Sequence, residues 1–222
     1  MPSGIFCKVD DNMTRTKKKY LALIIYYLCF YAIWTVNELY IKTYISSQFL
    51  RSGVIKTVVW VLPAMLLTYK FSDTVEIGLK EMFITKVKWR KYLWVYALLI
   101  LWVLLGGLQG GFSVSIDWDV VIIVLFIGIT EEMAFRGWLL NATAKDMPQW
   151  LAVLINAVMF LAIHFPRLTQ EGIFVKTFTS FSFIGLMALS AIFSVSFLKS
   201  RNILIPITMH MLYDLMAFVF LP

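Results

Sequence analysis

Residues 119–140 read DVVIIVLFIGITEEMAFRGWLL, an apolar stretch that carries the pair Glu131-Glu132 and, four residues after the second glutamate, Arg136. A helix that crosses a bilayer needs about 20 residues, and this stretch is long enough. Its apolar side chains occupy every helical face instead of one stripe, which favours a membrane helix over the surface helix of a soluble protein. Ionisable groups are costly inside a membrane, so this segment predicts both a transmembrane helix and a functional site.

The composition of the whole chain indicates the same class of protein. Of the 222 residues 60% are hydrophobic and only 15% are charged, against roughly 25% charged residues in soluble domains. We therefore expect an all-α, polytopic integral membrane bundle of about seven transmembrane helices, forming a single membrane domain over residues 1–222. The apolar segments lie near 21–41, 53–69, 92–108, 119–140, 149–165, 178–198 and 203–221.

Two parts of this helix assignment are open. The second segment is short and contains Lys56 and Pro63, which weakens its prediction as a membrane helix. Residues 70–91 form the only sizeable hydrophilic stretch, and apolar residues recur among its charges. That pattern fits an amphipathic helix lying on the membrane, and it fits a solvated connector equally well.

The basic residues predict an orientation in the membrane. With seven helices, 14 of the 20 lysines and arginines fall on the side of the N-terminus, which indicates a cytoplasmic N-terminus. Basic residues that flank apolar runs are typical of lipid contact and membrane orientation, so the net charge of +7 does not indicate nucleic acid as a partner. Five basic residues fall on the opposite side, namely Lys42, Arg51, Lys56, Arg167 and Lys176.

The acidic pair of the fourth helix divides into two roles. Glu132 and Arg136 are four residues apart, share a face and can form an ion pair. Glu131 points about 100° away from Glu132 and is left less well matched, which makes it the candidate general base. A single packing network of all three residues would fit the same spacing.

Both histidines of the chain lie in membrane segments, and each shares a face with a potential partner. Asn156, Phe160 and His164 are spaced four residues apart along the fifth helix. His210 and Asp214 are four apart on the last helix, where the aspartate could hold the imidazole in one tautomer. A packed core histidine and a helix-stabilising pair are the plain alternatives for each case alone. Their joint occurrence in membrane helices favours a common site.

Helix geometry allows Glu131 and His164 to meet. The turn near residues 144–147 joins their helices into a hairpin, which makes these two helices neighbours. At a rise of about 1.5 Å per residue, Glu131 lies roughly 20 Å and His164 roughly 25 Å from that turn. The two side chains are therefore expected at similar depth.

These motifs resemble those of a known family. The order Glu131-Glu132-x-x-x-Arg136, Phe160-x-x-x-His164 and His210-x-x-x-Asp214 is similar to that of the CPBP family. This is the CAAX prenyl protease and bacteriocin-processing (Abi) family of intramembrane endopeptidases. The resemblance covers residues 119–221, which would form the catalytic core built from the last four helices, and it implies an integral protein of a bacterial plasma membrane.

The resemblance implies a role for each matched residue. Glu131 would activate a water that His164 helps to hold, and His210 with Asp214 would stabilise the oxyanion. Glu132, Arg136 and Phe160 would be structural. The family motif often ends in asparagine, and because an ionised carboxylate cannot donate a hydrogen bond, Asp214 would orient His210, be protonated or bind a metal.

The resemblance leaves the cofactor open. A metal-free glutamate mechanism is favoured because the chain lacks the His-Glu-x-x-His run usual in zinc proteases. Zinc is the alternative, and its ligands would be His164, His210, Glu131 and Asp214.

Three functions remain open. The favoured one is a peptide hydrolase that acts on a membrane-associated peptide or protein. The main alternative is a non-catalytic membrane protein that gives bacteriocin immunity or binds a partner. A proton-coupled transporter is the third, although neither an inverted repeat nor a broken helix pair is visible.

Overall fold

The computed structural model describes residues 3–45, 47, 49–114 and 118–221, and this part of the chain is helical without strands. Short 3-10 turns occur at Ile41–Thr43 and Trp89–Lys91, and short helices at Glu81–Ile84 and Phe174–Thr179. Seven longer helices, labelled α1 to α7, begin and end as follows: α1 Ser3–Leu39, α2 Phe49–Lys70, α3 Leu93–Gly110, α4 Trp118–Glu132 extended by Met133–Leu140 and Asn141–Ala144, α5 Gln149–Ile163 extended by Phe165–Gln170, α6 Ser182–Ser200 and α7 Leu204–Phe220.

The all-α membrane fold expected from composition is confirmed. Five helices in the described ranges are long and apolar enough to cross a membrane, namely α1 from Met13, α2, α3, α5 with its extension, and α6. Of the other two, α4 carries Glu131, Glu132 and Arg136, and α7 is 17 residues long. The doubtful second segment is therefore a helix, and α1 begins well before residue 21, where the apolar run begins.

Two of the long helices contain π-helical stretches. In α2 these are Phe49–Ile55 and Thr57–Val61, and in α4 the stretch is Met133–Leu140. The i→i+5 hydrogen bonds of a π-helix widen the turn and change which residues share a face, and such stretches are frequent at functional sites. In α4 the π stretch begins directly after the acidic pair.

Close packing of α4 against α7 aligns the candidate site. Gly128 makes this approach possible, because a Cβ there would lie 2.7 Å from Cγ of Met211 and 3.2 Å from the carbonyl oxygen of Ile207. The helix α7 also packs on α3, and α6 packs along α5. The glutamates one turn after Gly128 are therefore held beside His210.

An aromatic cluster joins α1 and α2 to α4. Phe30 lies edge-on to Trp60 and to Phe135, with ring centroids 5.0 and 5.9 Å apart, and all three rings are buried. Trp138 is also fully buried and packs on Phe71 at 5.9 Å. The first two helices therefore pack against α4, the helix that carries the acidic pair.

The segment between α2 and α3 is neither of the two structures expected for residues 70–91. It folds as turns and one short helix against the protein, and Phe71, Val75 and Met82 are buried there, so it is not an amphipathic helix on the membrane. Asn141 of α4 fixes it, because its amide accepts from Ile77 N–H at 2.7 Å and donates to Ile77 O at 2.7 Å. The segment covers the end of the bundle where α2 and α4 end.

We predict that Asn141→Ala destabilises the fold. Asn141 and Ile77 are both fully buried, so the substitution leaves two backbone groups of Ile77 without partners, each at a cost of about 1–3 kcal/mol. The melting temperature in detergent should fall by several degrees. Gln109→Ala is the matched control, because it removes an exposed amide that has no side-chain hydrogen bond in the described part of the chain. Equal melting temperatures for the two variants would contradict the role of Asn141.

Candidate active site

Glu131 lines a cavity of about 260 Å³ and is almost completely buried. The Lys56 ammonium of α2 donates a hydrogen bond to its Oε1 atom at 3.0 Å. The expectation that Glu131 is poorly matched was therefore wrong, because its partner comes from a helix without a motif. The second oxygen, Oε2, has no hydrogen-bond partner among the described residues, although it belongs to a residue of the cavity wall.

Lys56 is held in place by aromatic rings as well as by the carboxylate. Its Nζ atom lies 4.3 Å from the ring centroid of Trp34 and 4.5 Å from that of Trp60. A cation above an aromatic face is attracted by the ring quadrupole, most strongly when water is excluded. In the sequence this lysine was only a charge that weakened the prediction of a membrane segment. Its costly placement in that segment was the signal that could have added it to the candidate site.

Glu132 is the buried junction of a second network. Its Oε1 atom accepts hydrogen bonds from Nη1 of Arg136 at 3.0 Å and from Nδ1 of His210 at 2.7 Å. Arg136 also donates to the carbonyl and hydroxyl oxygens of Ser190, both at 2.8 Å. The ion pair expected from the four-residue spacing is present, and it connects α4 to both α6 and α7.

His210 has a different principal partner from the predicted one. The shorter contact is with Glu132, whereas Nε2 lies 3.5 Å from Oδ2 of Asp214. Because an ionised carboxylate can only accept a hydrogen bond, Nδ1 of His210 carries a proton. The ring stacks on Phe193 at 5.0 Å, and its Nε2 atom is left for Asp214 and the cavity.

His164 lies where α5 gives way to its short extension. Its Nδ1 atom donates to the carbonyl oxygen of Phe160 at 2.7 Å, which leaves Nε2 as the nitrogen with a free lone pair. The ring of Phe160 lies 4.9 Å from the His164 ring and 6.2 Å from the His210 ring. The guanidinium carbon of Arg136 lies 4.9 Å from the centroid of the same ring. Phe160 therefore packs between the two histidines and the buried arginine.

One cavity brings together Glu131, His164, His210 and Asp214, which come from α4, α5 and α7. The predicted structural residues Glu132, Arg136 and Phe160 lie behind its wall. Six of the sixteen lining residues come from α1, α2 and the turn between them, which carry no motif, and the sequence assigned none of these six to the site. The residues contributed by these two helices and the turn between them are Trp34, Glu38, Lys42, Arg51, Lys56 and Trp60.

The cavity lies toward one end of the bundle. Its lining residues belong to the last turns of α1 and α5, to the first part of α2 and α4, and to α7 from His210 onward. This end is opposite the N-terminus of α1 and opposite the segment between α2 and α3. The π stretch Met133–Leu140, whose residues are all buried, lies beyond the cavity on the far side.

The donor set does not fit the zinc alternative. In the ranges that the structure describes, no three His, Cys, Asp or Glu side chains are arranged to hold a metal ion. The predicted ligand set of His164, His210, Glu131 and Asp214 is therefore not assembled around one point.

We predict that Arg136→Met strongly destabilises the protein, because it leaves the Glu132 charge buried with a single partner. Breaking one side of a buried ion pair costs about 3–5 kcal/mol. Arg201→Met is the matched control, since Arg201 also forms ion pairs, with Glu76 and Glu81, but is partly exposed. Such a surface arginine contributes about 1 kcal/mol or less. The free energy of unfolding in detergent should fall much more for Arg136→Met than for Arg201→Met. Similar decreases for the two variants would contradict the role of the buried Glu132 junction.

Comparison with known proteins agrees with the motifs. The family model described as Type II CAAX prenyl endopeptidase Rce1-like matches residues 98–216, more than half of the chain. Neither a search of curated proteins nor a search of solved structures gave a significant match. The matched range contains Glu131, His164, His210 and Asp214, and it confirms the resemblance to the CPBP family. The chain is an integral membrane protein that belongs to the Rce1-like family of type II CAAX prenyl endopeptidases.

Proposed function

We propose that this protein is an intramembrane endopeptidase that hydrolyses a peptide bond with a water activated by Glu131. The observation that carries the proposal is the single cavity, inside an apolar helical bundle, that is lined by a glutamate, two histidines and an aspartate. Membership of a peptidase family supports the reaction class. The catalytic core would comprise residues 119–221, within one membrane domain formed by the whole chain.

Glu131 and His164 would hold the water between them. Lys56 contacts only Oε1 of Glu131, which leaves Oε2 to accept a proton from the water. Nε2 of His164 can accept the second hydrogen bond of that water, because its Nδ1 atom already donates to Phe160. The water oxygen attacks the peptide carbonyl carbon, and the proton on Glu131 then passes to the leaving amine.

His210 would stabilise the negative charge that forms on the carbonyl oxygen. The Nε2 atom can donate to this oxyanion when the ring is doubly protonated. Glu132 on one side and Asp214 on the other balance that charge. Asp214 therefore acts on His210 and has no need to donate a hydrogen bond itself, which accounts for an aspartate at the position where the family motif often has asparagine.

The substrate would be a peptide or membrane protein whose scissile bond reaches the cavity. A peptide pheromone, a bacteriocin precursor and a membrane anchor all fit this description. A prenylated CAAX peptide fits by family membership alone, since no cavity residue is specific for a prenyl chain.

We predict that Glu131→Gln and His164→Ala each lower cleavage by at least about 100-fold, because each removes one of the two groups that hold and activate the water. The measurement is digestion of a peptide library by detergent-purified protein, with product identification by mass spectrometry. Both variants should accumulate in membranes at the level of the unchanged protein.

Asp73→Asn is the control, because Asp73 is an exposed carboxylate outside the cavity wall, at the opposite end of the bundle. The digestion is repeated with a chelator, which should leave the rate unchanged if the mechanism is metal-free. Full activity of both site variants would end the proposal. Partner binding or immunity without cleavage by the unchanged protein would favour the non-catalytic alternative.

The cavity also supports the proposed orientation in a bacterial plasma membrane. Four of the five basic residues on the side opposite the N-terminus, all except Lys176, line the cavity. These four cations are accounted for by the site, so they need not be counted against the orientation rule. Without them, the excess of basic residues on the N-terminal side is larger. The N-terminus would be cytoplasmic, and the cavity would open to the outer face.

Reporter fusions test this orientation. Alkaline phosphatase fused after the C-terminal end of α7 should be active outside the cytoplasm, whereas a fusion in the turn after Lys145 should be inactive. The second fusion is the matched control, because the two sites lie at opposite ends of the bundle. The reverse pattern would overturn the orientation without bearing on the catalytic residues.

A further inference from the structure

The cations of the cavity wall are not all neutralised. Among the four of them, Lys56 pairs with Glu131, Lys42 pairs with Glu38, and Arg167 pairs with Glu171. Arg51 has no ion pair and no side-chain hydrogen bond within the described residues. The cavity therefore contains one guanidinium whose charge is not matched by the protein.

The guanidinium of Arg51 is nearly buried in the cavity wall. Only 9% of its surface is exposed, and its Nε atom is buried without a hydrogen-bond acceptor in the described part of the chain. Burying an unpaired charge or donor is strongly unfavourable, so native proteins normally provide a partner. The missing acceptor points to a ligand that brings its own negative charge.

The winding of α2 places this charge beside the catalytic groups. Arg51 and Lys56 are five residues apart, and Phe49–Ile55 is π-helical, so the two side chains lie closer to a common face than in an α-helix. Both line the cavity, and Lys56 contacts Glu131. An anion bound at Arg51 would therefore lie in the same chamber as the proposed nucleophilic water.

The guanidinium selects the type of anion. Its planar fork of N–H donors matches the two oxygens of a carboxylate, and pairs of this kind are frequently bidentate. A peptide carries carboxylates in two places, at its C-terminus and on aspartate or glutamate side chains.

We propose that Arg51 is the binding residue for a carboxylate of the substrate peptide and sets where the chain is cut relative to that group. This rests on the proposed peptidase function and deepens it, since it names the feature by which substrates are recognised. Arg51 lies outside the matched residues 98–216, so the family match does not assign it a role.

Binding and cleavage are measured separately, so that the failure of one is not confused with the failure of the other. A library of short apolar peptides is made twice, with a free C-terminal carboxylate and with a C-terminal amide, and a third library places one aspartate inside amidated peptides. Retention by purified His164→Ala protein, read by mass spectrometry, reports binding without catalysis, because this substitution stops cleavage and leaves the Lys56–Glu131 pair intact. Retention that is better for free acids identifies the terminal carboxylate, and retention that is better for aspartyl amides identifies the side chain.

Carboxylate peptides should bind at least about 10-fold more tightly than plain amides, and Arg51→Gln should remove this preference. Arg51→Lys should keep part of it, because charge is retained and the bidentate fork is lost. Lys176→Gln is the matched control, since Lys176 is an exposed cation of the same side that does not line the cavity. The proposal is overturned if protein with Arg51 in place retains all three libraries equally, or retains none of them.

Thermal unfolding without peptide separates ligand binding from a structural role. If Arg51 lacks a partner in the free protein, Arg51→Gln should leave the melting temperature unchanged or raise it. A clear fall would mean that Arg51 supports the fold and would count against the proposal. Cleavage could also be lost in Glu131→Gln and yet be unchanged by Arg51→Gln and by amidation of the peptide. That result would support the peptidase function and reject the carboxylate site.

Discussion

The Glu132 carboxylate is the point on which the architecture of the site depends. A single buried oxygen accepts from Arg136 on its own helix and from His210 on α7, and Arg136 in turn reaches Ser190 on α6. In a low-dielectric interior these contacts are strong, and each buried charge is unfavourable without its partner. The junction therefore fixes the relative positions of three helices and the ring orientation of a candidate catalytic histidine.

The two adjacent glutamates have different cationic partners and different positions, one in the cavity wall and one in the network behind it. Glu132 faces the bundle interior and the arginine, whereas Glu131 faces the cavity and Lys56. The turn of about 100° between consecutive helical residues makes this division possible within one dipeptide. Phe160 packs behind the cavity, between the histidines and Arg136. The same aromatic ring therefore contacts both the buried polar network and the cavity histidines.

Helical periodicity was enough to predict that the four motif residues share one site. Glu132 with Arg136 and His210 with Asp214 follow from the four-residue spacing, and the hairpin of α4 and α5 brings Glu131 and His164 to one cavity. The part of the wall that α1 and α2 contribute depended on long-range packing. Lys56 and Arg51 lie in a helix with π-helical stretches, so α-helical periodicity predicts the wrong face for their side chains. The sequence between this helix and Glu131 also contains no spacing that predicts how close the three side chains lie. The burial of the segment after α2 depended likewise on Asn141, which is 64 residues away from Ile77 along the chain.

The position of the cavity at one end of the bundle limits how a substrate could reach it and leave it. Beyond the candidate catalytic groups, the fully buried stretch Met133–Leu140 and the segment held by Asn141 close the other end of the described bundle. The described residues therefore leave no passage toward the end at which α2 and α4 finish. On the proposed function, a substrate peptide would enter from the cavity's own end, and both fragments would withdraw before another chain enters. Such a geometry suits a single cut near the end of a chain better than repeated cleavage of a polypeptide threaded through the membrane.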